Sequence, residues 1–272
     1  MTNSKRIYSK HNPEKDTLPQ KVIKPIDGSI LQMPNIEDSA NTYQKPSKEI
    51  SPKAFFVIIS GGEVREKDYF KIVCKQDKFK RIKIDFIADP TKLSPKGMLS
   101  IAQFKKELYQ SSQDENPETP DKIFIVSDVD LFMPELIEIS PLCAKDELLL
   151  IISNSCFEVW LYYAYCSNLP DFSIPKKMAT ISWEFKKWLP NAIQGGRGIN
   201  PTKAVFNIQQ NIENAKANYK VDANGIPELF STNMFELAES MLPLIEPELK
   251  RMVEDNRIRE SEYRNNHKPK QI

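Results

Sequence analysis

Two aspartates one residue apart, Asp128 and Asp130 in "IFIVSDVD", directly follow an apolar run. The i, i+2 spacing puts both carboxylates on one side if the strand persists, or around one turn if it does not. Either arrangement suits a hard divalent cation. Mg²⁺ needs only one or two protein carboxylates, because it keeps waters and recruits substrate phosphates. A DxD pair taken alone reads as a solvated turn; here it follows "IFIV", a run too apolar to lie anywhere but mid-sheet. A second acidic point is "FFVIISGGEVREKDYF", residues 55 to 70, where an apolar run ends in Gly61-Gly62 and leaves Glu63 and Glu66 just beyond the turn. Side-by-side glycines are unusual in a chain with only 8 of them, and they admit positive φ and close approach of a ligand. A third acid, Glu158 in "SNSCFEVW", follows another apolar run. It reads either as a helix N-terminal carboxylate favoured by the macrodipole or as a further member of the same acidic cluster.

Acids at strand ends require a sheet to hold them. "AFFVIIS", from Ala54, reads as a buried strand; "EKDYFKIVCKQ", with Tyr69, Phe70, Ile72 and Val73, as a helix packed on the sheet; and "RIKIDFIA", with Ile82, Ile84 and Phe86 inward, as a second strand. "SPKGMLSIAQFKKELYQ" spaces Met98, Ile101, Phe104 and Leu108 by threes and fours, which predicts an amphipathic helix with that stripe inward. "DKIFIVSDVD" is a third strand, "PELIEISPLCAKD" a helix and "ELLLIIS" a further apolar strand. Wholly apolar strands separated by helices predict an α/β fold, a mainly parallel sheet flanked by helices, and such sheets form sites at the carboxyl ends of their strands.

From Asn154 onward the pattern is helical. "CFEVWLYYAY" is one segment; Val205, Ile208, Ile212, Ala215 and Tyr219 form a stripe; Phe235, Ala238, Met241 and Ile245 form another, with Ser231, Thr232, Asn233 and Glu236 offering an N-cap. The expected organisation is a polar, proline-punctuated flexible arm over residues 1–50 and an α/β core over 51–153. A helical part over 154–250 packs on that core, and a charged tail fills 251–272.

The bulk composition narrows the function classes. At 272 residues, 40% hydrophobic and 28% charged, the chain has the profile of a globular protein with a substantial core. Apolar stretches such as Leu148 to Ile152 are far too short to cross a bilayer, and the N-terminus lacks an apolar signal core, so a cytoplasmic protein with no membrane contact is expected. Cys74, Cys143, Cys156 and Cys166 form no CxxC pair and have only His11 and His267 for company, which argues for reduced thiols and against zinc. A net charge of +1 says little about nucleic acid, and the basic run Lys75, Lys78, Lys80, Arg81, Lys83 reads first as a solvated face. Candidate phosphate contacts are Arg65 beside the glycine turn, Arg197 in "GGRGIN", and Lys176 and Lys177. Lys186 and Lys187 join that lysine pair, with Trp183 and Trp188 as stacking faces.

With these residues in view, the sequence resembles the RloB-like family, also seen in AbiLii-type abortive-infection proteins, over Ala54 to about Glu246. The resemblance rests on "SGGEVREKDYF", "IADPTKLSPKGMLSIA", "IVSDVD", "ISNSCFEVWLYYAY" and "FSTNMFELAESM", in this order and at this spacing. It implies a Toprim-like fold and a nuclease site. Asp128 and Asp130 would hold Mg²⁺ (or Mn²⁺), Glu63 and Glu66 would serve as catalytic acids, and Asn154 and Glu158 would support them. It further implies an ABC/SMC-like ATPase partner in a phage-defence system and a DNA or RNA substrate, with a homodimer left open. The chain departs from the family pattern where the first strand ends. The family's leading glutamate is Gly61 here, its threonine Arg65, the next proline Lys67, a later proline Ser155 and a histidine Tyr165. If the glutamate is lost, cleavage is weakened and a degenerate, binding-only module becomes the alternative.

Overall fold

The computed structural model describes residues 52–62, 64–74, 79–88, 94–111, 119–174, 180–193 and 199–266. The expected arm over residues 1–50 lies outside them. The described elements alternate as expected. Strand β1 (Ala54–Ser60) leads to helix α1 (Arg65–Cys74), β2 (Ile82–Ile87), α2 (Pro95–Gln110), β3 (Lys122–Asp128), α3 (Met133–Lys145) and β4 (Leu149–Ser153). All four strands run parallel in the order β2-β1-β3-β4. The fold is therefore α/β, with every crossover made by a helix.

Side-chain alternation divides the core between the two faces of the sheet. Phe55, Val57, Ile59, Ile123 and Ile125 face α2 and α3, with Met98, Leu99, Leu136 and Ile139 against them. Phe56, Ile58, Phe124, Val126 and Ile151 face the other way, onto α1 and the helices that follow β4. The two middle strands are buried on both sides, which is why their sequences are continuously apolar. Each fully buried large side chain contributes about 1.5–3 kcal/mol against exposure.

Helix α2 starts as its sequence demands, with Ser94 Oγ accepting from the Gly97 N–H at 3.3 Å and Pro95 at the first helical position. Its buried face differs from the expected stripe. Pro95, Met98, Leu99 and Ala102 are buried, whereas Phe104 and Leu108 are exposed. Both sets fit a helical period, and the sheet takes the one containing the small Ala102, which allows close approach.

After β4 the chain is helical: α4 (Glu158–Tyr163), α5 (Ile181–Ala192), α6 (Pro201–Phe206), α7 (Ile208–Ala217) and α8 (Met234–Asn266). The stripe from Val205 to Tyr219 is split between α6 and α7 at Asn207, with its core members still buried. Thr232 precedes α8, its Oγ1 accepting from the Met234 N–H at 3.1 Å. Helix α8 runs on to Asn266, through most of the stretch expected as a charged tail. Asn233 closes the open edge of β4. Its Oδ1 accepts from the Ile152 N–H at 2.6 Å, and its Nδ2 donates to the Leu150 carbonyl at 3.0 Å, as a neighbouring strand would. No helix of the described residues is long and apolar enough to cross a membrane.

Candidate active site

β1 and β3 pair through Ser60 opposite Val126, so their carboxyl ends lie side by side, with Asp128 as the last residue of β3. Alternation puts Asp128 on the face of Phe124 and Val126, the face covered by α1 and α4. Helix α1 buries Glu66, Tyr69, Phe70 and Val73, spacings of three and four that make Glu66 the first position of the core stripe. A glutamate in that place needs polar company. It finds it in Asp128 and in Glu158, the first residue of α4 and itself buried.

The electrostatics of this trio are tightly linked. Burial raises the Asp128 carboxyl well above its ordinary range, and the charges of Glu66 and Glu158 push it further up. Burial also raises Glu66, with Glu158 adding to the shift and Glu66's own backbone N–H opposing it. The opposing cation is Lys186 on α5, whose Nζ lies 3.4 Å from Glu158 Oε2. Burial would lower the Lys186 ammonium, but Glu158 and Asp128 hold it above its ordinary value. Three carboxylates against one ammonium leave two negative charges when all are ionised. Cys156, fully buried beside them, has its thiol raised by burial and then by Glu158 and Asp128.

The glycine turn makes room for this cluster. Gly61 N–H extends the β1–β3 ladder by donating to the Val126 carbonyl at 3.1 Å, and Gly62 N–H donates to Ser60 Oγ at 3.1 Å. A Cβ at Gly62 would fall onto the Glu66 carboxylate. The second glycine is thus a cradle for that carboxylate, and Gly62→Ala must shift the Glu66 carboxylate from its place. If the site carries the Mg²⁺-dependent cleavage that the resemblance implies, this substitution should reduce it roughly 10- to 100-fold through misplacement of one group. Circular dichroism should show the fold retained; unaltered cleavage would mean that the position of Glu66 does not matter.

Asp128 and Asp130 do not share one side. The strand ends at Asp128, and Asp130 turns with φ of 27°, a conformation that aspartate tolerates better than most residues, leaving its side chain exposed. Backbone bonds fix the turn: Val129 N–H donates to the Ser153 carbonyl at 3.0 Å and Asp130 N–H to the Ser155 carbonyl at 3.1 Å. Asp130 still adds to the upward shift of Asp128, as the weakest contributor. Asn154 ties the end of β4 to the approach to α8, its Nδ2 donating to the Pro227 carbonyl at 2.8 Å and its backbone exchanging bonds with Phe230 and Ser231. The Asn154–Ser155 peptide is cis. Arg65 is exposed at the start of α1. Glu63, Lys176, Lys177 and Arg197 lie outside the described residues.

Lys186 enters the site as the ion partner of Glu158, a role its sequence context did not signal. Trp188 is packed against Phe185, whereas Trp183 is 56% exposed with Lys187 Nζ over its ring at 3.2 Å. Among the described residues no three acidic, cysteine or histidine side chains already enclose a metal-sized position. The chemistry of the donors nevertheless fits Mg²⁺ or Mn²⁺: hard carboxylate oxygens carrying excess negative charge, one of them seated where a Cβ is missing.

No curated protein and no solved structure gives a significant match to the chain. A family model described as RloB-like protein matches residues 56–241, from within β1 to within α8, and so spans the glycine turn, the three clustered carboxylates and Lys186. With more than half the chain matched and these elements in order, the chain belongs to the RloB-like protein family.

Proposed function

We propose that the protein is a Toprim-like, metal-dependent nuclease that hydrolyses phosphodiester bonds in DNA or RNA, and that it serves as an effector in phage defence with an ABC/SMC-like ATPase partner. The observation that carries the nuclease reading is the trio Glu66, Asp128 and Glu158, gathered at the carboxyl ends of β1, β3 and β4 with a charge excess that a divalent cation would neutralise. Family membership and the resemblance set out above support the defence role and the ATPase.

Asp128 would hold Mg²⁺, and the exposed Asp130 on the turn that follows would join it from the solvent side. When bound, the ion supplies positive charge to the phosphate and to the departing oxygen. Hydrolysis joins a water oxygen to phosphorus and breaks one P–O ester bond, so a proton must leave the water and another must reach the leaving oxygen. Glu66 suits delivery of the second proton, since burial raises its carboxyl above the ordinary carboxylate range. Lys186 holds Glu158 in place and would supply an ammonium to the phosphate. The test is cleavage of labelled single- and double-stranded DNA and RNA with Mg²⁺ or Mn²⁺ by the wild type and by the double variant Asp128→Ala/Asp130→Ala. Cleavage by the wild type alone supports the enzyme; equal, negligible cleavage by both overturns it.

A second reading is favoured by Gly61, where the family's leading glutamate is missing. On that reading the protein is a degenerate module that binds nucleic acid or the ATPase without cutting. Restoring the carboxylate by Gly61→Glu is expected to raise Mg²⁺-dependent turnover about 10-fold or more, within the usual range for one acid–base group. Unchanged or lower turnover in a folded variant would count against the Toprim-like alignment of this turn.

A further inference from the structure

A cavity of about 500 Å³ opens beside the carboxylates, on the far side of Asp130. Its walls include Leu131, Met133 and Ile181, and its polar groups include Asp130, Asn154 and Ser182. Only Val129 separates Asp130 in the lining from Asp128, so the two Cα atoms lie within about 7 Å of each other along the chain. Leu131, at 71% exposed, is an unshielded apolar residue at that mouth. The cavity and the acid cluster share the same two turns, after β3 and after β4, so a chain-like ligand held at the carboxylates has a neighbouring recess here.

The volume falls in the range of small-molecule pockets, and the lining has the character such pockets share, aliphatic walls with a few fixed polar groups. Asn154 is fixed by its bond to the Pro227 carbonyl, and Ser182 Oγ by donation to the Ser155 carbonyl at 3.4 Å. A phosphate is the wrong occupant, because Asp130 would repel it. A flat heterocycle with donors and acceptors on its edge meets both the walls and the polar groups.

We infer that this cavity receives the base of the nucleotide next to the cleaved phosphate, and that the substrate is therefore an unpaired strand. This rests on the nuclease reading above. A base can enter only after leaving its stack and its partner, a step that costs least where it is already unpaired. Single-stranded loops and ends are accordingly the class selected, in RNA or in DNA.

The experiment measures binding apart from cleavage, by fluorescence anisotropy of labelled oligonucleotides of one sequence, as single strand and as duplex, RNA and DNA, in EDTA and again in Ca²⁺. The wild type is expected to bind the single strand at least about 10-fold more tightly than the duplex, the scale of one base contact. Leu131→Ala should remove most of that preference and leave duplex binding unchanged, while Leu131→Phe should retain it. Equal affinity for the two forms, or a preference unmoved by Leu131→Ala, overturns the inference. If that result accompanies metal-dependent cleavage that Asp128→Ala/Asp130→Ala abolishes, the nuclease reading survives without it. Absence of both binding and cleavage overturns the two together.

Discussion

Asp128→Asn is expected to lower Mg²⁺-dependent cleavage by at least about 100-fold and, in the same preparation, to raise the melting temperature of the metal-free protein at neutral pH. The loss follows from the ion's contribution: several kcal/mol of charge stabilisation depend on its being held, and each ~1.4 kcal/mol is a factor of ten in rate. The gain follows from the cost of the site. Asp128 is set at the end of a strand buried on both faces, and burial, then Glu66, then Glu158 all disfavour its charged form. Asparagine keeps the shape and removes the charge. Relief of about 1 kcal/mol would appear as roughly 2–4 °C in a domain of this size. Paired cleavage and thermal-unfolding measurements check both signs. A variant less stable than wild type without metal would show that the carboxylate is satisfied within the fold, and that the charge excess at the site has been misjudged.

That opposition between activity and stability also explains what the sequence disclosed. β1 and β3 were legible because a strand covered on both faces has nowhere to put a polar side chain, so "FFVII" and "IFIV" admit few other readings. The acids after them stood out against those runs. Glu66 carried a further signal in its spacing from Tyr69, Phe70 and Val73, which puts a carboxylate at a core position of α1.

The parts that were illegible depend on choices made in three dimensions. On α2, Met98 belongs to two helical stripes, one through Phe104 and Leu108 and one through Leu99 and Ala102, and only the sheet decides between them. The DxD spacing left two arrangements open, a shared side on a continuing strand or a pair set around one turn, and only the fold chooses the turn, since the strand stops at Asp128 and the backbone turns at Asp130. Lys186 meets Glu158 across 28 positions of chain, a pairing that no local pattern encodes. Gly62 signalled backbone freedom, whereas its use here is the space its missing Cβ leaves for a carboxylate four residues on.

The same carboxylates should make stability depend on pH in a direction opposite to ordinary acid denaturation. Asp128 and Glu66 are raised above their ordinary values of 3.8 and 4.5, so the folded protein keeps protons that the unfolded chain has released. Below that range both states are protonated and the pair adds no penalty. As pH rises from about 4, the unfolded state ionises first and stability falls until the folded groups ionise too. Mg²⁺ acts against the fall, because it binds the ionised folded form; at 100 times its dissociation constant it adds about 2.7 kcal/mol. Subtracting the melting curve of Asp128→Asn from that of the wild type removes the contribution of the remaining carboxylates. The difference should turn against the wild type between acidic and neutral pH without metal, and Mg²⁺ should close it by roughly 5–10 °C at neutral pH and by little at acidic pH. A Mg²⁺ effect of equal size in wild type and Asp128→Asn would place the cation elsewhere on the protein and remove the physical basis of the proposed site.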